Sequence, residues 1–107
     1  MPAYLVASVT ITDESWISGY AINVHDIAHR HGGKYLSRSG NITQIEGEPS
    51  DVSLMAVVEF PTTEAAKAFI NDPDYEEFRK SRMNGSISNV FIIDDTDVAG
   101  TIPYLNK

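Results

Sequence analysis

Apolar and polar positions alternate through residues 3–11, with Leu5, Ala7, Val9 and Ile11 on the more apolar side. Tyr4, Val6, Ser8 and Thr10 fall on the other. A period of two predicts a strand. From residue 14 the period lengthens. Trp16, Ile17, Tyr20, Ala21, Val24, Ile27, Ala28 and His31 recur at steps of three and four, which predicts a helix over 14–31. Thr12 or Asp13 is its expected N-cap. Gly32 suits the left-handed position that ends such a helix.

A second strand is expected at 34–38. Ser39, Gly40 and Asn41 are turn formers, and Ile42 to Glu46 either continues that strand beyond a bend or forms a hairpin arm. Residues 47–51 read as a loop. Alternation returns at 52–60, with Leu54, Ala56, Val58 and Phe60 opposed to Ser53, Met55, Val57 and Glu59. Pro61 stops this strand because it cannot donate to a ladder. Thr62 or Thr63 caps a short helix through Ala65, Ala66, Phe69 and Ile70. Asp72 and Pro73 then open another helix as N-cap and first residue. Tyr75, Phe78 and Arg82 share its inward stripe, and Asn84-Gly85 ends it. The last strand is expected at 87–93.

The order β-α-β-β-α-β is the split βαβ, ferredoxin-like arrangement, an α+β fold. It places four strands in one antiparallel sheet with the helices on one face. The other face then carries Tyr4, Val6, Met55 and Val57 into water. An exposed apolar face asks for a partner, and a homodimer packed sheet against sheet is the simplest one. Residues 1–94 form the expected domain. Residues 95–107 form a tail whose Val98, Ile102, Tyr104 and Leu105 are expected to pack on the partner subunit.

Composition narrows the function classes. The 107 residues suit one domain, which buries roughly two-thirds of its unfolded surface. Fifteen acidic residues against eight basic ones give a net charge of −7, which disfavours nucleic-acid binding. Without cysteine there are no disulfides, thiolate nucleophiles or Cys-ligated metals. No signal-peptide pattern and no membrane-length apolar run is visible, so a cytoplasmic protein away from membranes is expected. Motifs for serine hydrolases, phosphate loops and dinucleotide binding are absent.

Several residue groups together carry a family likeness: residues 2–5, residues 31–36 with Arg38, residues 59–61, Ala65-Ala66 before Phe69, residues 72–75, and Arg79 with Arg82. They resemble the domain-of-unknown-function family 1330 (DUF1330), within the dimeric α/β-barrel superfamily. The likeness spans roughly residues 2–94 and implies a ferredoxin-like subunit and a dimer. The wider superfamily includes cofactor-independent monooxygenases, lactone isomerases, haem-degrading enzymes and stress-responsive proteins, and fold does not choose among them. The longer tail, and Asp26, His29 and Arg30, depart from the usual family pattern.

Candidate chemistry centres on His31. Histidine's titration range suits acid/base work, and the position faces inward. The structural alternative is a helix-end histidine bonded to a carbonyl or held by the helix dipole. His25 and His29 have a metal-compatible spacing but lie well off the stripe at ~100° per residue, with no third ligand at a helical step. No metal or other cofactor is expected. Glu59 is a candidate ligand-facing base, or else a rim residue in an ion pair. Arg38, Arg79 and Arg82 are candidate clamps for a carboxylate ligand, or else internal ion-pair partners. Tyr75 is a candidate hydrogen-bond donor. Trp16 reads as core rather than a substrate platform. The function these residues suggest is binding of a small organic acid or aromatic metabolite beside the sheet. The alternatives are a non-catalytic structural or stress-related dimer, and a cofactor-independent monooxygenase or isomerase.

Overall fold

Seven elements follow one another: β1 (Ala3–Ile11), α1 (Ile17–Arg30), β2 (Lys34–Ser39), β3 (Leu54–Phe60), α2 (Thr63–Ile70), α3 (Pro73–Asn84) and β4 (Ser86–Asp94). The structure, a computed structural model, describes residues 1–98. The strands form one antiparallel sheet in the order β2-β3-β1-β4. This is the ferredoxin-like arrangement, with the second helix divided into α2 and α3. Asp72 and Pro73 make the division. The Asp72 side chain accepts the Asp74 amide at 2.8 Å, and Pro73 takes a first-turn position where no N–H is needed. No helix among the described residues is long and apolar enough to cross a membrane.

Alternation sets the two sheet faces. Leu5 lies between Val58 and Ile92, and Ala7 between Ala56 and Val90. Of these, Leu5, Ala7, Ala56 and Val58 join Val24, Ile27, Ala28, Phe60, Ala66 and Phe69 in one core, with Ile92 packed against it. The other face is open. Val6 sits between Val57 and Phe91, and Tyr4 beside Ile93. Phe91 is 62% exposed and Ile93 56%.

The corner between α1 and β2 works as the glycines suggest. Gly32 has φ +81°. Gly33 passes so close to the core that a Cβ there would lie 2.8 Å from the Ala28 carbonyl and 2.9 Å from the Phe60 ring. Neither Gly33 neighbour can retreat without opening the core.

Three expectations are corrected. α1 starts at Ile17, not residue 14, and has no side-chain cap. Asp13 instead accepts the Ser15 amide at 2.9 Å in a local turn. The Thr12 and Asp13 amides and the Trp16 indole all donate to the Gly85 carbonyl, which ties the segment to the α3–β4 turn. Residues 42–46 form neither a strand extension nor a hairpin arm. They stay in an exposed loop, where the Gln44 side chain donates to the Glu48 carbonyl at 2.7 Å and accepts the Ser50 amide at 3.1 Å. The third strand begins at Leu54 rather than 52, and the last covers 86–94 rather than 87–93. Of the tail, residues 99–107 and their expected packing on a partner lie outside the described residues.

Candidate functional site

Small side chains create the site. Ala7 and Ala56 are direct partners on the two central strands, and both face the helices. Larger residues at those positions would fill the layer between sheet and helices. Alanines leave a cavity of about 330 Å³ there. Its floor is the inner sheet face. Trp16 at the start of α1, Tyr20 and Ala21 on α1, Phe69 and Ile70 from α2, and Tyr75 and Arg82 from α3 form its walls. Trp16 therefore belongs to the cavity as well as to the packing, where its ring meets Tyr20 edge-on at 5.2 Å.

The polar groups arrive from three elements. The Tyr20 and Tyr75 hydroxyls lie 2.6 Å apart. Burial first, and the neighbouring Tyr75 second, push the Tyr20 hydroxyl well above its ordinary value, so it stays protonated at neutral pH. Arg82 is buried, and its guanidinium donates to Ser88 Oγ. Burial works against its charge, and the Tyr75 and Tyr20 oxygens oppose that effect. On β2, a bulge between Tyr35 and Ser37 shifts the register. Residues three apart on a regular strand face opposite sides. The bulge lets both Tyr35 and Arg38 line the cavity, with the Arg38 guanidinium 4.6 Å from the Tyr35 ring centre. Burial raises the Tyr35 hydroxyl, while Arg38 opposes the shift. No carboxylate or imidazole is among the described residues lining the cavity.

The sequence candidates thus separate. Arg38, Tyr75 and Arg82 come together in the cavity. His31 is elsewhere. Its Nε2 is 2.7 Å from the Asp72 carboxylate, and its ring meets Phe69 at 6.4 Å. The His31 bond, followed by the Asp74 amide, holds the Asp72 carboxyl below its ordinary value. Glu59 lies on the outer face, opposite Tyr4 and Lys34. Arg79 lines a second cleft with Met83, Ser88 and Ile92, which Arg82 also borders. His25 stacks on Tyr35 at 5.1 Å, and His29 is exposed. Among the described residues, no group of three or more His, Cys, Asp or Glu side chains is placed to hold a metal.

Sequence reasoning missed Tyr20 and Tyr35 as site residues. Tyr20 was on the apolar stripe, where its hydroxyl was the signal: a buried phenol needs a partner. Tyr35 depended on a bulge that leaves no mark in a single sequence.

Solved structures share this architecture. A protein of unknown function from Rhodopseudomonas palustris, RPA0582, matches with TM-score 0.72 and 17% identity, over 90% of this chain and 83% of that one. SnoaB from Streptomyces nogalater, a cofactor-independent oxygenase, matches with TM-score 0.63 and 11% identity, over 90% of this chain and 94% of that one. Rv0793 from Mycobacterium tuberculosis matches with TM-score 0.53 and 14% identity, over 91% of this chain and 97% of that one. At these identities the likeness is one of fold. No curated protein matches the chain in sequence. The family model described as "Domain of unknown function (DUF1330)" matches residues 2–96, and the chain belongs to that family.

Proposed function

We propose that this protein is a homodimer that binds a small aromatic molecule in the cavity between sheet and helices of each subunit. One observation carries the ligand site: a cavity of about 330 Å³, walled by aromatic and aliphatic side chains, into which tyrosine hydroxyls and two guanidinium groups converge. That size is at the lower end of small-molecule sites, and the mixture of apolar wall and few polar groups is their usual character. The dimer is supported by the outer sheet face, where Val6, Val57, Phe91 and Ile93 form an uncovered apolar surface.

The oxygenase activity named for SnoaB belongs to a protein of the same fold. Transferred here, a reaction that draws a proton from its substrate needs a base, and the cavity wall offers tyrosines and guanidiniums, which are donors. A thermal-melting screen of one- and two-ring aromatic compounds tests the ligand site. A saturable rise in Tm is expected in wild type, and none in Ala56→Leu. A rise of equal size in both would remove the cavity from the site. Sedimentation tests the dimer: the expected mass is twice 11.8 kDa, and a monomer at micromolar concentration contradicts it.

A further inference from the structure

Arg82 is the one charged residue among the buried described residues, at 6% exposure. Withdrawing a guanidinium from water is costly unless an opposite charge accompanies it. Here its neighbours are neutral. Ser88 Oγ accepts one of its N–H groups, and the Tyr75 and Tyr20 hydroxyls act on its charge from the cavity. The negative end of α3 offsets only part of a unit charge. Among the described residues, the ion pairs are Arg30–Asp74, His31–Asp72 and Lys80–Glu76, and none includes Arg82. Residues 99–107 contain no Asp or Glu. A chain with fifteen acidic side chains thus sets none of them against its buried cation.

That cation borders the cavity. We infer that the cavity's ligand is an aromatic acid whose carboxylate supplies the counter-charge to Arg82, while its ring lies among Trp16, Tyr35 and Phe69. The inference rests on the reading of the cavity as a ligand site and names the ligand's class. The hydroxyl pair fits the same group. Only one O–H is used between Tyr20 and Tyr75, and among the described residues no acceptor takes the second, which can donate to a carboxylate oxygen. Arg38, exposed beside Tyr35, adds positive potential on the β2 side and favours entry of an anion.

The test compares 1-naphthoate with 1-naphthamide, which has the same ring and no charge, by calorimetry on the intact protein. Wild type is expected to bind the acid about tenfold more tightly or better, the size of a charge-assisted contact. Arg82→Met should abolish that preference, Arg82→Lys should keep part of it, and Arg79→Ala should leave it intact. Equal affinity for acid and amide in wild type overturns the inference while leaving the cavity a ligand site. So does a preference that survives in folded Arg82→Met. If Arg82→Met does not fold, the wild-type contrast and the Arg82→Lys protein decide. Inorganic phosphate binding as tightly as 1-naphthoate would overturn the aromatic half. Binding of neither naphthyl compound overturns both this inference and the ligand-site reading beneath it.

Discussion

At the end of α1, His31 sits against Phe69 with the Asp72 carboxylate 2.7 Å from its Nε2. In the last turn of α3, Arg82 is more deeply buried and, among the described residues, has only hydroxyls for side-chain partners. Both side chains are basic and both leave most of their surface out of water. The difference is the counter-charge. At the corner it is built in, and Asp72 spends its second oxygen capping α3, so the pair joins α1 to α3. At the cavity it is missing. A charge whose partner comes from the fold itself is a structural tie, and one whose partner is absent points outward to a ligand.

Phe60→Ala damages both regions and is the largest expected effect. Phe60 is fully buried, lies under Gly33 and stacks on Phe69 at 5.5 Å. Removing it should cost about 3–5 kcal/mol in denaturant unfolding. Gly33→Ala strikes the corner alone, and crowding against Ala28 and Phe60 should cost about 1–3 kcal/mol. Ala56→Leu strikes the cavity alone. Its added side chain enters existing space, so stability should stay within about 1 kcal/mol of wild type. Aromatic binding should weaken more than tenfold, as read by calorimetry. A large loss of stability would show that the cavity is closed in solution.

Asp72→Asn is the gentlest, because asparagine caps as well as aspartate and only the charge is removed. The Asp72 carboxyl is lowered in the folded protein. Its contribution is therefore present above the unfolded value of about 4 and is lost as pH falls through the lower folded value. The Tm gap between wild type and Asp72→Asn should be open at pH 5 and close below about pH 4. A gap that does not depend on pH would show that the carboxylate's charge contributes nothing at the corner.

The sequence was most legible where spacing is local. The parity of Leu54, Ala56, Val58 and Phe60, the glycine stop at Gly32 and the cap at Asp72 each depend on a few neighbouring residues, and each is seen in the fold. The cavity was less legible because it is a product of register. Ala7 and Ala56 are ordinary strand residues until pairing sets them side by side. The Leu36 bulge that turns Arg38 inward comes from the sheet, and Asp72 reaches His31 across 41 positions. The misplaced start of α1 has a similar cause. Its anchoring carbonyl, Gly85, lies 69 positions from Trp16 in sequence, and a Cβ there would strike the Trp16 indole at 2.2 Å.

An NMR titration of the intact protein with 1-naphthoate tests most directly whether the cavity, and not the His31 corner, receives the ligand. Amide shifts should move together at Ala7, Tyr35, Ala56, Tyr75 and Arg82, with Gly32, Asp72 and the outer-face residues Val6 and Phe91 unmoved. Shifts centred on His31 and Asp72, or on the outer sheet face, would contradict it.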